Sequence, residues 1–281
     1  MIKAIATDLD GTLFYPKRRF RLIQSDNKKF LREVVESGKK LILVTGRNVH
    51  VSHKVAEACK IDLKDITVVG CNGAFVSEGG NIIESHSLDH QKAKEIYNYL
   101  LKDKRVKTLM MFTDKINMHV DSRGLNPVER FVGIIGLNLQ GAYYEPFRMK
   151  HKYAQEMLDD ESVNIFKIMP WYGYAKNSRE IARIATIELT EKFGEFFEIA
   201  WSHDAVEITP KGVDKATVLN RILKDRGIEK DEILYAGDSG NDISCFREFP
   251  NSFVMEQAQD EVKKEAKYII KSVAELKNYC K

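Results

Sequence analysis

The chain has 281 residues, 43% of them hydrophobic and 30% charged, an ordinary balance for a soluble globular protein that can bury a core. Its formal net charge of +3 gives no case for nucleic acid, and the basic clusters at 16–21 and 102–107 read as solvated faces. No apolar run approaches the roughly 18 residues that a membrane span needs, no leader pattern precedes "IKAIATDLDG", and the four cysteines form no CxxC pair, which suits a cytoplasmic, reducing setting.

"KAIATD" (3–8) has the continuous apolar character of a buried strand. "SDNKKFLREVVES" (25–37) reads as a helix capped at Ser25 and stopped by Gly38. "KKLILVTG" (39–46) is a second strand, "RNVHVSHKVAEACK" (47–60) a second helix and "DITVVGCNG" (65–73) a third strand. Alternation of this kind predicts a Rossmann-like parallel sheet with helices on both faces. The period then changes. Residues 73–85 read as a hairpin turning at "EGG", and 85–204 mix helices (89–102, 178–193) with strands at 107–113, 116–120, 164–169 and 195–201. Their short connections predict an antiparallel sheet in an inserted α+β domain. Alternation resumes with a strand at 205–210, a helix at 213–227 closed by Gly227, a strand at 232–238, a short helix at 241–249 and a strand at 251–255. The expected organisation is therefore an α/β core of 1–84 and 205–281 interrupted by a domain of 85–204.

Ligands of parallel sheets bind beyond the carboxyl ends of the strands. Four polar features fall there: Asp8 and Asp10 after the first strand, Thr45 and Gly46 after the second, Lys215 in "KGVDKA", and Asp238, Asn241 and Asp242 in "GDSGND". Two carboxylates as close as Asp8 and Asp10 repel unless a positive charge intervenes. Taken alone they also fit a capped turn with solvated carboxylates, as Thr45 alone fits a helix cap and Lys215 alone a surface lysine. Together they form an oxygen-rich cluster suited to a hard cation such as Mg²⁺, with an amine and a hydroxyl placed for the oxygens of a phosphate.

"DLDGTL", the threonine of "VTG", the lysine of "KGVDKA" and "GDSGND" stand in the order of the four motifs of the haloacid dehalogenase superfamily, which this chain resembles over nearly its whole length. The insertion resembles, by position and size, the cap of its Cof-type (type IIB) hydrolases. The resemblance implies a Mg²⁺-dependent phosphomonoesterase acting on a small phosphorylated metabolite such as a sugar phosphate. Asp8 would be the nucleophile that becomes an aspartyl-phosphate, and Asp10 the acid that protonates the leaving alcohol and then helps activate water. The metal would be held by the Asp8 side chain, the Asp10 backbone carbonyl and Asp238. Thr45, Lys215 and Asn241, with the amides of Leu9 and Gly46, would hold the phosphoryl group, and Asp242 would orient Lys215 or a metal-bound water.

The chain departs from the family pattern at "TLFYPKRRF", more aromatic and basic than the usual short loop, and at "SFVMEQA". Substrate-contacting candidates are Asn72 and Gly73 in "CNGA", Arg123 in "DSRGLNP", and Trp171 and Tyr172 in "MPWYGYAKN", each also readable as a turn, a solvated arginine or cap core. His50 and His53, three apart in a helix without acidic partners, read as surface or packing residues. Two other functions use the same residues. A phosphomutase would pass the phosphoryl group to a second alcohol, and a receiver-type signalling module would keep it, although such modules are much shorter and carry no insertion. No membrane partner is expected, and the chain is expected to be a monomer or a weak homo-oligomer.

Overall fold

The computed structural model describes residues 1–16, 23–115, 118–141, 147–149 and 151–280, with the backbone alone at 134 and 136–141. Most of the basic cluster at 16–21, and residues 116–117 of the strand expected at 116–120, lie outside the described residues. The chain divides into two compact units, Met1–Glu84 with Asp214–Lys281, and Ser85–Val213.

The first unit opens with β1 (Ala4–Thr7), α1 (Ser25–Glu36), β2 (Lys40–Val44), α2 (His50–Cys59), β3 (Ile66–Gly70), β4 (Phe75–Glu78) and β5 (Asn81–Ser85). The second unit contributes α3 (His90–Leu100), β6 (Thr108–Thr113), β7 (Met118–Asp121), α4 (Pro127–Gly141), β8 (Phe147–Arg148), α5 (His151–Asp159), β9 (Ile165–Trp171), α6 (Ser178–Phe193), β10 (Phe197–Ser202) and β11 (Ala205–Pro210). The chain returns to the first unit with α7 (Lys215–Asp225), β12 (Ile233–Gly237), α8 (Ile243–Glu248), β13 (Ser252–Met255), α9 (Asp260–Lys263) and β14 (Tyr268–Ile270).

The first unit is built on a sheet ordered β14-β13-β12-β1-β2-β3-β4-β5. Strands from β14 to β3 run parallel, and β4 returns antiparallel to β3 through the "CNG" turn. Every residue of β1, β3 and β12 is buried, which is why these strands are continuous apolar runs rather than alternating ones. The order places β1 between β2 and β12. Connections from β1 leave toward β2 and β3, while the returning chain builds outward from β12, so the strand order reverses beside β1. A crevice opens at such a switch point, and Asp8 is the first residue past β1.

The second unit carries a sheet ordered β10-β11-β9-β6-β7-β8. Its core joins Leu109, Met111, Ile165, Ile168, Val206 and Ile208 of the sheet to Ala93, Ile96 and Tyr97 of α3 and Ala182, Ala185 and Leu189 of α6.

Several expectations change. The strand at 205–210, assigned by sequence to the interrupted core, is β11 of the second sheet, paired antiparallel with β10 and β9. Its six residues are all buried, Glu207 and Thr209 included, and it lies between β10 and β9, antiparallel to both. The second crossing between units is accordingly at 213–214, not near 204. Helix α1 begins at Ser25 with Gln24 as its cap residue, and no side chain caps it. Thr45 does not cap α2, whose first turn starts at His50; its hydroxyl instead accepts the Arg47 N–H at 3.2 Å. Helices α4 and α5 and strand β14 had no counterpart in the sequence reading.

Candidate active site

Asp8 leaves β1 with its N–H donating to the Ala236 carbonyl of β12 at 2.8 Å. The chain then turns through Leu9–Leu13, with Gly11 at φ +80°. That angle favours glycine, and a second constraint acts at the same place, because a Cβ on Gly11 would run into the Asp238 carboxylate. The turn therefore delivers Asp8 and Asp10 directly beside Asp238. Thr12 fixes the latter by donating its hydroxyl to Asp238 Oδ1 at 3.0 Å.

Lys215 is the first residue of α7, whose N-terminus is capped by Asp214 accepting from the Thr217 N–H at 2.8 Å. Its ammonium is wholly buried and donates to Asp8 Oδ1 at 2.9 Å, Asp242 Oδ1 at 2.7 Å and Asn241 Oδ1 at 3.1 Å. Three donors meet three acceptors, so the charge has the hydrogen bonds that a buried ion requires. Asp242 is equally engaged. Its Oδ1 also accepts from the Tyr235 hydroxyl at 2.6 Å, and its Oδ2 accepts from the backbone N–H groups of Asp238 and Ser239 at 2.9 and 3.0 Å. With both oxygens so occupied, Asp242 holds Lys215 and the "GDSGND" loop.

A residue that sequence reasoning passed over joins the site. Arg47, two positions after Thr45, forks onto Asp10 with Nε and a terminal nitrogen each 2.5 Å from a carboxylate oxygen. This bidentate geometry fixes the plane of the Asp10 carboxyl as a lysine could not. In "TGRN" the arginine stands two positions after Thr45, close to the strand end that carries the site, but nothing local marks Asp10 as its partner.

Thr45 is fully buried, and Leu9 and Gly46 lie in the turns that follow β1 and β2. Asn72 and Gly73 also fall beside this cluster: the Asn72 N–H donates to the Thr45 carbonyl at 3.0 Å, and its side-chain oxygen accepts from Asn241 Nδ2 at 3.4 Å. The other three specificity candidates belong to the second unit. Arg123 pairs with Asp121 at 3.0 Å, and Trp171 stacks edge-on against Tyr174. Tyr172 is only 2% exposed and is part of that unit's hydrophobic core, so its expected substrate contact is corrected to a packing role. His50 and His53 stack on each other with ring centroids 6.0 Å apart.

The site carries more acidic side chains than basic ones. Asp8, Asp10, Asp238 and Asp242 face Lys215 and Arg47, four carboxylates against two cations. Burial pushes Asp8 well above the usual carboxylate range; Lys215 pulls it back, while Asp242, Asp238 and Asp10 push it further up. Burial, then Asp242, pushes Asp238 up to about 7. Burial would lower Lys215, but Asp242 and Asp8 outweigh it and its proton is held more tightly than usual. Among the described residues, Asp8, Asp238 and Asp242 form the one group with metal-ligating atoms close enough, all within 4.8 Å of one another. Because Asp242 is saturated by its own hydrogen bonds, Asp8 and Asp238 are the side chains suited to a divalent ion, whose charge matches the excess.

Comparison with known proteins agrees with this geometry. The family model of haloacid dehalogenase-like hydrolases matches residues 5–277. A 5-amino-6-(5-phospho-D-ribitylamino)uracil phosphatase of Bacillus subtilis (strain 168) is 26% identical over 96% of this chain and 93% of its own length. Among solved structures, a haloacid dehalogenase-like hydrolase from B. subtilis superposes with a TM-score of 0.80 at 20% identity, covering 99% of both chains. A sugar phosphatase of subclass IIB superposes with a TM-score of 0.73 at 23% identity, covering 99% of this chain and 98% of its own. This chain belongs to the haloacid dehalogenase-like hydrolases, the enzyme family that the order of its four motifs implies.

Proposed function

We propose that the protein is a Mg²⁺-dependent phosphomonoesterase that hydrolyses a small phosphorylated metabolite of the sugar phosphate class through an aspartyl-phosphate on Asp8. The observation that carries this reading is the Lys215 ammonium shared between Asp8 and Asn241, 2.9 and 3.1 Å away. All three of its N–H groups are engaged, and the bond to Asn241, the longest of the three, is the one that an oxygen of the transferring group would replace. Asp8 attacks phosphorus, the ester P–O bond breaks, and the leaving oxygen takes a proton from Asp10, which enters the cycle as the neutral acid rather than as the carboxylate paired with Arg47. Asp10 then takes a proton from the water that displaces Asp8, returning both carboxyls to their starting state. Arg47 aims Asp10; Thr45, Asn241 and the amides of Leu9 and Gly46 hold the phosphoryl oxygens. Asp8, the Asp10 backbone carbonyl and Asp238 would hold Mg²⁺, which when bound would supply neutralisation of the negative charge on nucleophile and phosphate. The unit of 85–213 is the cap that selects the leaving group. The ribityl phosphate and sugar phosphate named for two relatives support a sugar-derived leaving group. Four free cysteines, three of them buried, suit a cytoplasmic enzyme.

The test is release of inorganic phosphate from a panel of phosphorylated metabolites, with Mg²⁺ and then with EDTA. Turnover should require the metal, return when it is restored, and fall roughly a thousandfold or more in Asp8→Asn. Undiminished turnover by that variant would refute the assignment of the nucleophile.

A further inference from the structure

The basic run at 102–107 borders a cavity of about 300 Å³ in the second unit, where α3 ends, β6 begins and the chain leaves β7. That volume is at the lower end of the range that holds small-molecule ligands. The buried side chains of Leu100, Val106 and Leu109 give it an apolar floor. Its walls are charged, with Lys102, Lys104, Lys107 and Arg123 against Asp103 and Asp121, four cations to two carboxylates. Both carboxylates are already engaged. Asp103 accepts from the backbone N–H, Nε and a terminal nitrogen of Arg105 at 2.9, 3.0 and 2.8 Å. Asp121 accepts from Arg123 and from His151. Among the described residues, no carboxylate pairs with Lys102, Lys104 or Lys107.

Arg123 is held in place before any ligand arrives. Its Nε reaches both Asp121 oxygens, at 3.1 and 3.0 Å, which leaves its two terminal nitrogens for an incoming group. Asp121, itself buried, is fixed in turn by His151 Nδ1 at 2.8 Å. The next residue pins the loop to the strand: a Cβ on Gly124 would come within 2.2 Å of the Val106 carbonyl and 2.8 Å of the Lys107 carbonyl. Arg123 and Lys107 therefore border the same cavity. A guanidinium anchored through Nε, with its outer edge open, suits two oxygens of one phosphate or carboxylate, and ammoniums supply point charges for further oxygens. We propose that this cavity is a second binding site, built in the second unit alone, for a small polyanion: a metabolite carrying two or more phosphate or carboxylate groups. One group rests on Arg123, the others on the lysines, and the carbon skeleton lies on the leucine and valine floor. The site is independent of the chemistry proposed for Asp8.

The test is isothermal titration of the full chain with tripolyphosphate and, separately, with citrate, both in EDTA. Without metal the Asp8 cluster has four carboxylates against two cations and does not attract an anion, so the titration reads the cavity. Saturable one-to-one binding of either probe is expected, and the tighter of the two identifies the oxyanion that the site prefers. Replacing Lys102, Lys104 and Lys107 together by glutamine should weaken binding roughly tenfold or more. Removing the same charge at three exposed lysines of the first unit, Lys224, Lys264 and Lys277, should change it by less than about twofold. Arg123→Lys keeps the charge and loses the fork, and should cost about fivefold. If that variant does not fold, the triple lysine variant, which touches no ion pair, carries the test. No saturable binding of either probe, or equal losses in the two triple variants, would overturn the proposal.

Discussion

Asp242 shows how far a single carboxylate can be committed. It is 0% exposed and takes hydrogen bonds from an ammonium, a phenol and two backbone amides. An asparagine in its place has one acceptor oxygen, so its amide nitrogen must face either Lys215 and Tyr235 or the two amides, donor against donor. Asp242→Asn should lower unfolding stability by roughly 3–5 kcal/mol, the usual cost of breaking a buried ion pair on one side. Urea denaturation followed by circular dichroism measures it, and a loss below 1 kcal/mol would mean the network readily re-forms. Arg47 makes a different kind of prediction. Its two 2.5 Å contacts set the direction of Asp10 rather than supplying a bare charge. Arg47→Lys keeps the charge and loses the fork, so kcat should fall about tenfold or more while the enzyme remains folded. A lysine variant with wild-type kcat would show that orientation of Asp10 by the fork is dispensable.

At the scale of elements, the Leu9–Leu13 turn works because Gly11 has neither the conformational restriction nor the bulk of other residues. Gly11→Ala places a methyl against the Asp238 carboxylate and must displace one of them. Activity titrated against Mg²⁺ should then show half-saturation shifted upward by at least about tenfold, with kcat at saturating metal less affected. An unchanged titration would argue against Asp238 as a ligand. The same elements explain what the sequence made legible. The core strands were readable because burial on both faces produces an unbroken apolar run, and the polar residues at their ends stood out against it. β11 misled because "AVEITP" shows that a strand is there but nothing in it reveals which sheet buries it. Helix α4 was missed because "PVERFVGIIGLNLQG" combines an opening proline, glycines at 133, 136 and 141, and apolar residues around its circumference, leaving no clear 3.6-residue stripe. Arg47 and the Asn72 contact depend on tertiary placement. No local spacing encodes that an arginine 37 positions from Asp10, or an asparagine 169 positions from Asn241, will meet it.

For the molecule as a whole, the acidic site ties folding stability to pH and metal. In the unfolded chain Asp238 ionises near 3.8, while in the folded metal-free protein burial and Asp242, aided by Asp10 and opposed by Thr12 and Lys215, push it up to about 7. Between those values the folded state binds the extra proton, so raising the pH through this window weakens folding. Asp8 is shifted in the same direction by burial and its acidic neighbours, with Lys215 opposing. Lys215, held charged by Asp242 and Asp8, stays protonated throughout this range and adds no slope of its own. The comparison that isolates the effect is wild type against Asp238→Asn, both stripped of metal with EDTA and melted from pH 5.5 to 8.5. Carboxylates away from the site titrate alike in the two proteins, and Asp8, relieved of the Asp238 charge, is pushed up less in the variant, which acts in the same direction; the difference in thermal midpoint, variant minus wild type, should therefore grow in the variant's favour as the pH rises. Adding Mg²⁺ at pH 8 should raise the wild-type midpoint and leave the variant nearly unmoved, because a divalent ion replaces the proton as the charge that the buried carboxylates need. A difference that stays flat across the window, or an equal response of both proteins to Mg²⁺, would remove Asp238 from the metal site.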